Sequence, residues 1–382
     1  MDCGRSDLAL SLHRSIHEIG CASWNSIAGT GNPFISYGFL SALEDSGSVG
    51  GDSGWLPSHA SLRDESGKLL GIAPLYVKAH SYGEYVFDSA WAKALERAGG
   101  TYYPKLQVAV PFSPVSGPRL LTAQGVTSAS FANALVELTK ALRCSSIHVT
   151  FCSGEEAQVL GCVGWLRRKG LQYHWHNQGY AEFEDFLAAL VSRKRKMIRR
   201  ERREAQSGLE IRVLRGMEIG AAEWQAFYEF YLATIDRKWG GAYLSQRFFP
   251  LLGRLLGDQV VLVMAFRRGK PVAGALNLLG DDALYGRNWG ACEDMPFLHF
   301  ELCYYQAIEF AIGLGLPRVE AGAQGRHKIQ RGYLPAPTYS AHWIAHHGLA
   351  QAAASFIDAE TLMIERELVG LGEESPYHAV LT

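Results

Sequence analysis

At 382 residues, with 48% hydrophobic and 20% charged residues, the chain is too long for one ordinary domain and has ample apolar material for packed cores. A formal net charge of −1 excludes a globally basic nucleic-acid binder and leaves only local basic patches to consider. The seven cysteines form no CxxC pair or other ligand spacing, which argues against a metal site and a disulfide framework and reads as buried thiols in a reducing compartment.

The stretch from Met1 to Gly20 carries Asp2, Arg5, Asp7, Arg14 and Glu18 where a signal peptide would be apolar. No apolar run reaches the length of a membrane span, so the expectation is a cytoplasmic protein, at most peripheral to the inner membrane. Asn32-Pro33 reads as a helix start, followed by the apolar stripe Phe34, Phe39, Leu40 and Leu43. A Ser/Gly loop over 46–54 ends it. A hairpin follows, with strands at 58–63 and 69–78 around Asp64-Glu65-Ser66-Gly67-Lys68.

The segment 182–207 places Phe183, Phe186, Leu187, Leu190, Met197 and Ile198 near helical spacing. Arg193, Lys194, Arg195, Lys196, Arg199, Arg200, Arg202 and Arg203 cover its second half, offset only by Glu201. The expectation is one long amphipathic helix. Helical patterns at 221–239 and 247–256 then precede strands at 260–266, 271–279 and 283–289, with the turn Arg267-Arg268-Gly269-Lys270 between the first two. A helix over 296–314 and a strand over 318–321 complete this part. Both halves thus show helices, an antiparallel meander and a helix crossover, which points to internal duplication.

Several strings carry a resemblance: HSYGEYVFD (80–88), YYPKL (102–106), the basic run beginning SRKRKMIRRER at Ser192, LHFELCYYQ (298–306) and GAQGRHKIQRGYLP (322–335). Together they resemble the FemAB-like N-acyltransferases, relatives of the GNAT superfamily and of the Fem peptidoglycan aminoacyltransferases. The resemblance implies an α/β (α+β) fold of two tandem GNAT-like domains, each a mixed, largely antiparallel sheet flanked by helices. Residues 1–30 then form an extension, 31–181 the first domain, 182–208 a basic linker helix and 209–382 the second domain. It also implies acyl transfer to an amine, without a permanently bound cofactor. Two departures stand out. Cys292-Glu293-Asp294 occupies the place of the Gly-rich loop that holds a CoA pyrophosphate, and two acids at a helix N-terminus would repel phosphate. Arg326 stands where the family string leads one to expect an acid.

Acyl transfer needs a base for the ammonium proton and donors for an oxyanion. Glu301, His299 and His327 are the candidate bases, and Glu301 shares a helix face with Tyr304 and Tyr305. Gln324, Lys328 and Arg331, with Arg326, supply donors around the glycines 322 and 325, and Arg287, Asn288 and Trp289 end the third strand. In the first half, Lys78, His80, Glu84, Tyr85 and Asp88 form one polar-aromatic stretch and Tyr102, Tyr103 and Lys105 another. A substrate-facing role stands there beside a structural one, and Arg119 is a weaker case of the same kind.

The basic helix permits three readings: a solvated packing helix, a seat for a polyanion such as tRNA or an acidic acyl carrier protein, or a patch that touches an anionic membrane. The leading expectation is N-acyl transfer from acyl-CoA or another acyl thioester to a long-chain amine, as in bacterial ceramide (sphingolipid) synthesis. A Fem-like transferase that takes aminoacyl-tRNA and acts on a peptidoglycan precursor is the second. A non-catalytic binding protein is the third.

Overall fold

The structure, a computed structural model, describes residues 8–236 and 241–378; the readings of Asp2, Arg5, Asp7 and the end of the helix expected over 221–239 lie outside these. Contacts divide the chain into a first unit of residues 8–30, 34–170 and 337–365 and a second of 31–33, 171–336 and 366–378. The units interleave along the chain, whereas the sequence runs them in succession. The mixed α/β fold class expected from the resemblance is observed in both.

In the first unit the expected hairpin forms because Asp64 Oδ1 accepts from the backbone N–H groups of Ser66 (2.9 Å) and Lys68 (3.0 Å), closing the turn between His59–Arg63 and Leu69–Ala73. The run expected as one strand over 69–78 is two strands. Pro74 has no N–H for the ladder, and the chain resumes as Leu75–Lys78 in a different sheet. One sheet is Ala9–His13, His59–Arg63, Leu69–Ala73 and Leu121–Thr122, all antiparallel. In the other, Trp55–Pro57, Leu75–Lys78 and Lys105–Val108 pair antiparallel, and Lys105–Val108 runs parallel to Ser146–Cys152. Helix Ser128–Ala141, capped by Thr127, packs Phe131, Ala132 and Leu135 against Leu62, Leu75, Leu106, Ile147 and Val149. The early helix starts later than Asn32-Pro33 suggested. Ser36 caps it by accepting from Phe39 N–H, and it runs Tyr37–Asp45, while Pro33–Ile35 is a single 3₁₀ turn.

The second unit carries the antiparallel meander Glu210–Arg215, Val260–Arg267, Lys270–Leu279 and Ala283–Ala291. Helix Ala221–Asp236 lies so close to it that a Cβ on Gly290 would stand 2.0 Å from Phe230 O, which requires glycine there. Arg318–Glu320 joins the sheet parallel to Ala283–Tyr285 and antiparallel to His174–His176.

The long basic helix is in fact two. Phe183–Ala189 stops because Leu190 is extended, fully buried and bridged to Tyr377, and Ser192–Ala205 begins afresh behind it. The thiols are not uniformly buried either: Cys144 and Cys152 are, whereas Cys21, Cys162 and Cys292 are exposed at or near element ends. Among the described residues no helix is long and apolar enough to cross a membrane.

Candidate functional site

The last meander strand, Ala283–Ala291, and Arg318–Glu320 pair over only three residues, Ala283–Tyr285 against Arg318–Glu320, and then part. A β-bulge drives the parting. Ala275 faces Trp289 and Asn277 faces Gly286, so Arg287 and Asn288 together oppose Leu276. The strand bends there, carrying Arg287 and Trp289 along its diverging end. Beyond Glu320 the chain turns through 321–325 into the 3₁₀ helix Arg326–Arg331. Gly325 has φ +118°, and a Cβ on it would meet the His327 ring at 2.6 Å, so only glycine lets the chain turn this way beside that imidazole.

The crossover helix is not regular. It opens with Leu298–Phe300, passes through a π-helical turn at Glu301–Tyr305 in which Gln306 N–H bonds Glu301 O, and continues as Gln306–Gly313. In an α-helix, residues five apart point in different directions. The wider π turn brings them onto one side. His299 and Tyr304 accordingly meet with ring centroids 5.2 Å apart, and Phe300 stacks on Tyr304 at 5.9 Å. Trp289 closes against His299 at 5.2 Å. His327 completes the group: its Nε2 lies 2.9 Å from the Tyr304 hydroxyl and its ring 5.5 Å from Phe300. Burial, with help from Arg331 and Lys328, holds the His327 imidazole below its ordinary pKa, so it is mostly neutral at pH 7. Burial likewise pushes Tyr304 well above the usual phenol.

Two cations complete the cluster. Lys328, 2% exposed, donates from Nζ to Gly322 O (2.9 Å), and burial lowers it to about 8. Arg331 pairs with buried Glu201 through Nε (3.1 Å) and Nη2 (2.8 Å), donates to His327 O (2.8 Å) and lays its guanidinium 3.5 Å from the Phe300 ring centroid. Tyr305 donates to the same Glu201. The structure therefore brings together His299, His327, Trp289, Tyr304, Lys328 and Arg331. Gln324 lies exposed on the adjoining turn.

Glu301 is a correction. Expected as a base beside the tyrosines, it is fully buried and faces the basic helix instead. Its carboxylate accepts from Arg202 (3.0 and 3.2 Å), Gln206 (2.8 Å) and Gln306 (2.7 Å). Oε1 accepts most of these bonds and Oε2 only the one from Arg202 Nε, and the burial of the carboxylate against Arg202 makes it an anchor for the helix. Glu293 is another. The crossover helix begins at Leu298 behind Phe297, and Glu293 reaches back 2.6 Å to Arg267 on the hairpin turn, so it does not sit on the helix N-terminus. Arg326 is drawn outward to Glu374.

The first-unit residues form a closed interior. Lys78 and Lys105 are cross-strand partners, a like-charged pair that is stable only with counter-charges. Glu84 lies 2.7 Å from Lys105 and 3.8 Å from Lys78, and Asp88 also pairs with Lys105. Tyr102 donates to Asp88 (2.7 Å), and Tyr103 meets Ser81 at 2.9 Å. Burial raises Glu84 to about 7 and lowers Lys78 to about 7, while Lys105 and His148 hold Asp88 well below the carboxylate range against its own burial. Glu84, Tyr102 and Lys105, considered as substrate-facing residues, are instead buried among one another, because two lysines cannot otherwise share one strand face. His80 does not pair with Glu84; its Nδ1 accepts from Tyr82 N–H at 3.2 Å. Arg119 is buried too, donating to Thr150 O (3.0 Å) and Val115 O (2.5 Å). Sequence reasoning missed His148 and His342, joined Nδ1 to Nδ1 at 2.8 Å beside this network. Their alternation on apolar strands was the available signal.

A meander feeding a crossover helix, with strands that part at its foot, is the GNAT-like arrangement, and the cluster lies where those strands diverge. The chain belongs to the FemAB-like family, described as peptidoglycan biosynthesis/recognition, whose model matches residues 15–379. That family places it among acyl- and aminoacyl-transferases. Among solved structures, FemX shares the fold with a TM-score of 0.55 and 11% identity, over 91% of this chain and 99% of its own. L-PGS from Bacillus licheniformis gives 0.50 and 10% over 86% and 95%. A tandem GNAT protein from the clavulanic acid pathway gives 0.48 and 11% over 89% and 99%. No curated protein matches the chain significantly.

Proposed function

We propose that the second unit transfers an acyl group to a primary amine at the cluster formed by His327, Tyr304 and Lys328. The observation that carries this reading is a buried lysine amine beside a neutral imidazole, both at the ends of parting strands. In the step, the amine nitrogen attacks the carbonyl carbon, the C–N bond forms and charge gathers on the carbonyl oxygen. Protonated Lys328 spends one N–H on Gly322 O and has others to offer that oxyanion. With His327 Nε2–H assigned as donor to the Tyr304 hydroxyl, Nδ1 is left to take the proton that the amine sheds. Collapse breaks the C–S bond of a thioester, or the C–O bond of an aminoacyl ester, and the departing atom takes up a proton. Trp289, His299 and Phe300 supply a half-buried aromatic wall beside the cluster.

The donor in the first reading is an acyl thioester, acyl-CoA or acyl carrier protein. An aminoacyl-tRNA donor with a peptidoglycan precursor as acceptor is the second reading. The family description favours it, and it fits the site equally well. The long-chain amine gains no support from the site. The test presents the protein with acetyl-CoA, palmitoyl-CoA and charged tRNA, each with a panel of amines. Amine-dependent thiol release supports the first reading, and amide formed from charged tRNA alone moves the assignment to the second. Absence of amide with every donor overturns transfer and leaves a binding protein.

A further inference from the structure

We propose that the outward face of the basic helix Ser192–Ala205 docks an acidic helix of a carrier protein that presents the acyl group as a thioester; this rests on the acyl-transfer reading above. Seven of the eight cations of this helix divide into two sets, and half-buried Arg195 stands outside both. Lys194 is hydrogen-bonded to Gln330 at 2.6 Å, Arg199 pairs with Glu184, and Arg202 with Glu301 and Glu309. Arg193, Lys196, Arg200 and Arg203 are exposed, and among the described residues none of them has an ion-pair partner. Glu204 is exposed beside Arg200 without an ion pair joining them. The spacing of these four, three then four then three residues, keeps them on one side of the helix over about 15 Å. A partner helix with carboxylates at the same repeat matches that comb charge for charge.

The inner face of the same helix is part of the site's framework. Ile198, Glu201 and Ala205 are buried, and Glu201 holds Arg331 and Tyr305. A carrier seated on the outer face is therefore roughly one helix diameter, about 10 Å, from the cluster its cargo must reach. Beside Arg203 the helix also walls a cavity of about 780 Å³ whose lining includes Gln206, Leu209 and the ion pairs of Arg199 with Glu184 and Arg202 with Glu309, a concave seat for a neutral partner side chain next to the comb. The large exposed hydrophobic residues all lie elsewhere among the described residues, and the half-buried Phe297 ring beside the comb lies 5.9 Å from the Arg200 guanidinium, so this face offers little on which bases could stack or that could enter lipid. The net charge of −1 likewise does not favour a long polyanion, which would meet the whole surface.

The experiment measures binding of an acyl carrier protein, loaded with a fatty acyl group on its phosphopantetheine arm, by calorimetry at about 50 mM salt. Wild type is compared with the variant R193Q/K196Q/R200Q/R203Q. The expected result is saturable one-to-one binding that weakens about tenfold or more in the variant, and about as much when salt is raised to roughly 300 mM. Melting temperature and turnover with acyl-CoA should remain as in wild type, while carrier-dependent turnover falls. No saturable binding, or equal affinity in the variant, overturns the docking surface. So does a variant that keeps carrier affinity and instead loses binding to tRNA or to phosphatidylglycerol vesicles. If wild type turns over no donor, the acyl-transfer reading fails separately, because carrier binding is read without turnover.

Discussion

The Tyr304 hydroxyl and His327 Nε2 meet at 2.9 Å because the crossover helix widens into a π turn between His299 and Tyr304. Without that turn the phenol and His299 would face apart, and the imidazole would lose the group that fixes its tautomer. Tyr304→Phe removes the hydroxyl and leaves the ring. It should lower kcat about tenfold, shift the acid limb of the pH–rate profile and leave the melting temperature within about 2 °C. Steady-state kinetics across pH 5–9 checks this, and an unmoved profile would make the contact merely structural.

His327 lies below its ordinary value, so its acid limb is predicted below pH 6.5: activity falls as pH drops through the lowered pKa and the imidazole gains a proton. Lys328 gives the opposite limb. Its ammonium is the active form, and activity should fall as pH rises through about 8. A kcat/KM profile with no acid limb below pH 6.5 would contradict the His327 assignment, and one that stays flat between pH 7 and 9 would contradict the Lys328 assignment.

Lys328→Met separates function from stability. The folded pKa of Lys328 is lowered, so between about 8 and 10.5 the unfolded chain binds more protons and this lysine's contribution to stability rises with pH. Below about 8 the buried charge is a cost present in full. The methionine variant should lose turnover by about 10²-fold yet melt at pH 7 no lower than wild type within about 2 °C. A large drop in melting temperature would mean that the bond to Gly322 O matters chiefly to the fold.

Lys105→Met should cost about 3–5 kcal/mol, because Glu84 and Asp88 would be left as uncompensated buried acids. Glu84 is raised to about 7, so between about 4.5 and 7 the folded state binds more protons and stability falls as pH rises. Lys78, lowered to about 7, adds stability as pH rises above that value. Glu84→Gln should remove the falling limb and leave the rising one. Denaturant melts at pH 5, 7 and 9 read both.

The sequence carried the hairpins because their turns are local chemistry: Asp64 closes one and Arg268-Gly269, with φ +52° and +76°, closes the other. Lys328, Arg331 and His327 were legible as a cluster because they follow one another on a single turn. The surroundings of Glu301 were not legible because a four-residue helical repeat does not hold across a π turn, and its partner Arg202 lies 99 residues away. The first-unit network was hidden for a related reason. Only strand pairing reveals that Lys78 and Lys105 face each other and must draw Glu84 and Asp88 inward. The break at Leu190 depended on Tyr377, a contact that no local pattern announces.

The most direct test compares His327→Ala with Glu301→Gln in the same amide-forming assay at a temperature where both are folded. His327→Ala should lose about 10²–10⁴-fold in kcat/KM. Glu301→Gln should lower the melting temperature while keeping kcat/KM within about tenfold of wild type. The reverse pattern, with Glu301→Gln inactive and stable and His327→Ala active, would contradict the assignment of His327 as the base.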